Sequence, residues 1–218
     1  MTNFNPSYIV VHTAAYSGRN CDSDRIDQWH RDRGWQGIGY HFAIINDKHD
    51  ELEDGTVQGG RDLSTPGAHA RGLNSRAIGI CCVGHGDREP LTAAQHTSLI
   101  ELISNLIDEY DDINVDRVIG HREINDLVAK GDIPDRYLTH KTCPGLLVSM
   151  EDIRQEVREY RVAVQTPHQL DSDIMPGGSQ IREALAVLSA AKRRFPNASE
   201  PLREFLSHPE VLEFLEEE

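Results

Sequence analysis

Apolar residues in this chain fall into short continuous runs and helix-spaced stripes that alternate as far as Tyr160. Tyr8-Ile9-Val10-Val11-His12 is such a run, closed by an imidazole, and predicts a buried strand. Asp22 or Ser23 can cap a helix that continues to about Arg33 and stops at Gly34. Tyr40–Ile45 predicts a second strand, followed by polar turn residues up to Gly55 and a short extended piece at Thr56–Gln58. A loop bearing Gly and His covers Leu63–Arg76, and Ala77–Val83 predicts the next strand. Thr92 with Gln95 forms a capping-box pattern ahead of an amphipathic helix. Its Leu99, Leu102, Ile103, Leu106 and Ile107 recur at helical spacing and predict a core-facing stripe. Val115–Ile119 predicts a last short strand, and Ser149 can cap a final helix over Met150–Tyr160. Strands alternating with helices predict an α/β fold, with a central mixed β-sheet flanked by helices and a short helical C-terminal extension.

The pattern changes beyond about Val164. Gln165–Ser179 is rich in Pro, Gly, Asp and Ser and predicts a linker. Ile181–Arg194 predicts a helix with Ile181, Leu185 and Leu188 on one stripe, stopped by Pro196, and Pro201–Leu215 predicts one or two shorter helices. The expected organisation is a catalytic domain over 1–163, a linker over 164–179 and a helical extension over 180–218. About forty residues make a marginal independent domain. The extension is therefore expected to dock on the first domain or to mediate homo-oligomer formation through its helices.

Charge narrows the list of partners. The 218 residues carry 22 basic and 36 acidic side chains, a formal net charge of -14. That balance excludes sequence-independent nucleic-acid binding, which needs a positive footprint. It also excludes adhesion by charge alone to anionic membranes or anionic wall polymers. No apolar stretch approaches the roughly 20 residues of a membrane span. The opening Met1-Thr2-Asn3-Phe4-Asn5-Pro6 lacks the charged and apolar regions of a signal peptide. The expectation is a soluble chain made in the cytoplasm, released by another agent if its substrate lies outside. Cys81 and Cys82 are neighbours in a strand and point to opposite faces, as small hydrophobes rather than a disulfide. Cys21 lies in a polar loop with no evident role.

The candidate chemistry centres on His12, His121 and Cys143. Both histidines end apolar runs, so neighbouring parallel strands would bring them to one rim, where ligands of open α/β sheets bind. Cys143 lies in the loop His140-Lys141-Thr142-Cys143-Pro144-Gly145, where Pro144 restricts the residue before it. Two imidazoles and one thiolate suit tetrahedral Zn²⁺ and leave a fourth position for water. Lys141, two residues before Cys143, falls on the same side of an extended loop, placed to stabilise a developing oxyanion. Tyr40 is either half-buried packing or, facing the rim, a hydroxyl donor to water or oxyanion. His41 alternates away from it and is expected to be structural. His69 lies in a Gly-bearing loop that suits a substrate contact or a turn-stabilising role. Trp29 is expected in the core, and Trp35 is a candidate wall of a sugar- or peptide-binding groove.

From Ile9 to about Tyr160 the chain resembles the zinc-dependent N-acetylmuramoyl-L-alanine amidases of the phage-lysozyme type, which share a fold with peptidoglycan recognition proteins. The matching blocks are Val10-Val11-His12-Thr13-Ala14, Gly34-Trp35, Ile38-Gly39-Tyr40-His41-Phe42, Ala68-His69-Ala70, Ser75–Ile80, Gly120-His121-Arg122-Glu123 and Lys141-Thr142-Cys143-Pro144-Gly145, in the family's order. The resemblance implies that His12, His121 and Cys143 bind zinc and that Tyr40 and Lys141 assist catalysis. It implies a peptidoglycan hydrolase, of the phage endolysin kind, cleaving the bond between N-acetylmuramic acid and L-alanine. One departure is Ile124–His140, longer than phage members have there, which predicts a surface insertion beside the site. A binding module of the same fold is the main rival. Loss of the cysteine marks that state, and here Cys143 is present. A cysteine hydrolase pairing Cys143 with His121 is a third reading.

Overall fold

Five short apolar runs form one mixed sheet in the computed structural model, which describes residues 4–165. The strands are β1 (Tyr8–Thr13), β2 (Phe42–Ile44), β3 (Val57–Gly59), β4 (Ala77–Cys82) and β5 (Val118–Gly120). Their order is β3-β2-β4-β1-β5, parallel throughout except for β3, which pairs antiparallel with β2 at one edge. The continuous apolar composition of β1 and β4 fits their central places, because a parallel sheet covered on both faces needs no polar alternation.

The helices are α1 (Ser23–Asp32), α2 (Ala93–Glu109), α3 (Ile124–Ala129) and α4 (Met150–Gln165). Asp22 caps α1 by accepting the Arg25 amide at 2.8 Å. The capping box of Thr92 and Gln95 forms as expected, and Gln95 does more than cap. Its buried amide donates to the carbonyls of Ile44 (2.9 Å) and Val83 (2.8 Å), tying the start of α2 to the ends of β2 and β4. Leu99, Ile103 and Leu106 are buried, and so is Ile100, while Leu102 and Ile107 are only half-buried. The buried stripe of α2 is thus turned slightly from the expected one.

Two elements are shorter than their apolar patterns. Tyr40 and His41 precede β2 instead of opening it. Val115–Arg117 coils into a 3-10 turn, because β1 begins to pair with this segment only at Ile9↔Val118. Helix α4 is longer than expected, continuing past Tyr160 to Gln165.

On the face of the sheet that carries Val10, Ala77 and Ile119, these residues pack with Ala70, Leu73, Ile124, Leu127, Val128 and Ile133. This corrects the expectation for Ile124–His140. The segment is not simply a surface insertion. Ile124, Leu127 and Val128 share one face of α3, and Ile133 is only 2% exposed. Residues 129–132 and 134–136, with Leu138 and His140, face solvent, so the segment is a surface excursion pinned by a few buried side chains. Farther along the sheet Ala43 and Cys81 pack with Ile26, Ile38, Ile45, Val83 and Cys21. Cys21 is therefore a core residue. Cys81 and Cys82 are both fully buried and unpaired, as expected for packing thiols.

The chain divides between Gln155 and Glu156, within α4, so the sheet and the first three helices belong to the unit Met1–Gln155. Val164 and Gln165, expected to begin the linker, are helical, and the linker and extension from residue 166 on lie outside the described residues. No described helix is long and apolar enough to cross a membrane.

A surface insertion and a core segment respond differently to truncation. Ile133→Ala should lower the unfolding free energy by about 2–4 kcal/mol in a urea titration. An exposed loop residue would change it by less than about 0.5 kcal/mol.

Candidate active site

Strand pairing brings the first two residues together. Val11 stands opposite Gly120 in the parallel β1–β5 ladder, so the next residues, His12 and His121, emerge side by side at the carboxyl rim. Their ring centroids are 4.8 Å apart, at 1% and 7% exposure. His121 opens a 3-10 turn, His121–Glu123, held by the Glu123 carboxylate, which accepts the Gly120 amide at 2.8 Å. Arg154 donates to both oxygens of that carboxylate, at 3.0 and 3.2 Å.

Cys143 arrives on a loop clamped from two sides. From one side the Arg122 amide donates to the Cys143 carbonyl at 2.8 Å, and its guanidinium donates to the carbonyls of Thr142, Gly145 and Val148. From the other, Asp87 accepts the Thr142 hydroxyl (2.6 Å) and the Leu146 amide (2.8 Å). Thr13, the residue after His12, donates its hydroxyl to the Pro144 carbonyl at 2.8 Å. The Cys143–Pro144 bond is cis. Gly86 meets Pro144 and Gly145 backbone to backbone, so closely that a Cβ on Gly86 would stand 1.9 Å from the Pro144 oxygen.

The result is a set of three ligand atoms within 4.8 Å of one another, with Cys143 Sγ 3.5 Å from His12 Nδ1. Ligand atoms around a tetrahedral zinc stand about 3.3–3.6 Å apart, given bonds of about 2.0–2.3 Å. The donor set suits that ion, and the separation of Cys143 Sγ from His12 Nδ1 matches this spacing. Burial, then the charges of neighbouring His69, His121 and Lys141, hold His12 well below the ordinary imidazole value. Burial, then Lys141, pushes His121 down to about 4. Both rings are therefore neutral near pH 7, the form in which imidazole binds metal. Burial pushes the Cys143 thiol up to about 11, outweighing the pull of the Thr13 hydrogen bond, Lys141 and Arg122. A nucleophilic cysteine needs the opposite shift.

The profile of the N-acetylmuramoyl-L-alanine amidase family matches residues 2–146. The chain belongs to this family. The endolysin of Escherichia phage T7 is 38% identical over 109 residues, spanning 47% of this chain and 68% of that protein. Peptidoglycan-recognition protein SC2 of Drosophila melanogaster is 32% identical over 134 residues, spanning 57% and 68%. Among solved structures, the N-acetylmuramoyl-L-alanine amidase LysC from Clostridium intestinale URNW has a TM-score of 0.57 at 34% identity, over 72% of this chain and 89% of LysC. The chain is a peptidoglycan amidase of α/β fold.

Beside these three residues, Tyr40 is half-buried with its ring centroid 5.0 Å from that of His12. Burial, then the neighbouring Cys81 and Cys143, keeps its hydroxyl protonated far above the usual range. Lys141 is exposed on the Cys143 loop. Trp35 is 41% exposed and lies against His30, at 4.6 Å between centroids. His30, which sequence reasoning did not single out, is buried and accepts the Gly39 amide on Nδ1 at 2.9 Å, directly before Tyr40. Trp29 packs in the cluster of Ile26 and Cys81, and His41 is structural, bonding the Gly79 amide and the Thr65 carbonyl. His69 is 9% exposed and lies behind His12, with Nδ1 3.0 Å from His12 Nε2 and Nε2 3.3 Å from the Ala77 carbonyl. Both its ring nitrogens are engaged inside the fold.

The clamp itself can be tested. Asp87→Ala should free the Thr142 hydroxyl and the Leu146 amide, speeding hydrogen exchange at Leu146 and the reaction of Cys143 with a disulfide reagent. Because two hydrogen bonds to an exposed carboxylate disappear, the thermal midpoint should also fall slightly.

Proposed function

We propose that this amidase is a zinc enzyme of the endolysin kind, cleaving the amide between the lactyl group of N-acetylmuramic acid and the L-alanine of the stem peptide. The observation that carries the reading is the convergence of two neutral imidazoles and one thiol at the sheet rim. His12, His121 and Cys143 would hold the ion and leave a fourth position open to the site. Bound there, zinc supplies Lewis acidity that polarises the scissile carbonyl and acidifies the attacking water.

The other steps belong to the chain. Water adds to the carbonyl carbon, the C–N bond breaks, and the L-alanine amine leaves with a proton. Lys141, exposed on the Cys143 loop, would face the oxygen on which negative charge develops. Tyr40, kept neutral by burial, has a proton to donate to the same oxygen. Because both contacts strengthen as charge builds, they lower the barrier more than they tighten substrate binding. Trp35, backed by His30, offers an exposed aromatic wall for the sugar or the peptide.

Mass spectrometry of fragments released from purified sacculi should show free L-alanine amines on the stem peptides, with intact glycan strands. Binding to sacculi without release of fragments would favour a recognition module instead. The metal reading has its own test. The purified chain should hold one zinc, and Cys143→Ser should lose most activity while staying folded. Full lytic activity after chelation would refute a metalloenzyme.

Lys141→Ala should reduce turnover by about 10²–10³-fold with unchanged zinc content, the usual cost of one oxyanion donor. Tyr40→Phe should act in the same direction but less. Loss of zinc in either variant would remove its proposed role.

The pH dependence of metal uptake follows from the shifted groups. With His121 at about 4 and the Cys143 thiol at about 11, the metal-free site at pH 7 carries neutral rings and one proton on sulfur. Zinc must displace that proton, so affinity should rise about tenfold per pH unit across the neutral range. Calorimetry in buffers of differing ionisation enthalpy should count about one proton released per zinc, and a count of zero would contradict the assignment.

A further inference from the structure

We infer that His69 is a positioning residue that fixes the tautomer and ring orientation of His12, so that His12 turns Nδ1, not Nε2, toward the metal position. The inference rests on the zinc reading above. His12 uses its two ring nitrogens in opposite directions: Nδ1 is 3.5 Å from Cys143 Sγ, and Nε2 is 3.0 Å from His69 Nδ1. Two neutral imidazoles meeting nitrogen to nitrogen need one donor and one acceptor. A nitrogen that binds metal must be bare, so the proton of His12 sits on Nε2 and is donated to His69. His69 Nδ1 is then the bare acceptor, and its own proton sits on Nε2, where the Ala77 carbonyl at 3.3 Å receives it. Only one arrangement satisfies all three groups.

The ring of His69 is held in that role. A Cβ on Gly67 or Gly79 would stand 2.4 or 2.5 Å from His69 Cδ2, so both glycines leave the space the ring fills. The backbone amides of His69 and Ala70 both donate to Asn74 Oδ1, at 2.9 and 2.7 Å, which anchors the loop beneath the ring. His41, the nearby alternative, is committed to the Gly79 amide and the Thr65 carbonyl and cannot serve. Partners of this kind orient metal-binding histidines and set affinity without touching the ion.

The test uses the full chain and zinc alone, with affinity measured by competition against a chromophoric chelator. His69→Phe fills the space but cannot accept a hydrogen bond, and should weaken zinc binding about 10–100-fold. His69→Asn places Oδ1 at the same two-bond distance from Cβ as Nδ1 and should restore most of that loss. A purely structural role would move the thermal midpoints of the metal-free variants without this split. Nitrogen NMR of the zinc-loaded wild-type chain reads the same point without a variant: His12 should be metal-bound at Nδ1 and protonated at Nε2, and His69 protonated at Nε2. Equal affinity of the wild type, Phe and Asn forms, or coordination of His12 through Nε2, overturns the inference. A wild-type chain that takes up no zinc overturns the metal reading itself.

Discussion

The pairing of β1 with β5 is the constraint on which the rest of this amidase depends. With Val11 opposite Gly120, the next residue on each strand is a histidine, and both reach the rim at the same height. A slip by one residue would turn one imidazole to the opposite face of the sheet. The register is secured by burial, because Val10 and Ile119 must both face the cluster built from α3 and the Ala70–Ala77 loop. The packing of the core thus sets the position of the chemistry, and Glu123 and Arg154 repeat the instruction by fixing the turn that begins at His121.

Electrostatics at the site follow from that burial. Burial disfavours charge on the His12 and His121 rings and on the Cys143 thiol, while Arg122 and Lys141 stand nearby. On the zinc reading proposed above, only one proton has to leave for these three residues to bind metal, and the exposed Lys141 would supply charge to the transition state. Tyr40 shares the dry environment and remains a donor.

Much of this was legible in the residues. Apolar runs closed by His12 and His121 foretold strands ending at a common rim, and Asp22 and Thr92 marked helix starts that form as expected. Cys143 could be placed only in a loop, since nothing local says that Arg122 and Asp87 hold it. Those contacts span 20 to 59 residues of sequence, and a lone Asp has the composition of any surface turn. In Ile124–His140 the polar residues hid four apolar ones, Ile124, Leu127, Val128 and Ile133, whose partners lie on other elements. His69 was visible as a residue but not in its role, which exists only where a loop folds beneath a strand end. Tyr40 and His41 looked like strand because periodicity cannot tell a ladder residue from one just before it.

The loop that carries Cys143 has a consequence for how this scaffold can change. Its backbone is gripped by Arg122, Asp87, Thr13 and Gly86, none of them a ligand, and the grip acts on carbonyls, amides and a neighbouring hydroxyl rather than on the sulfur. Position 143 is therefore a socket whose shape does not depend on what fills it. A different side chain there would meet the same two histidines at the same distance, with only its donor atom altered. On the metal reading proposed above, a substitution at this one position would remove the thiolate while the contacts that hold the loop stay in place.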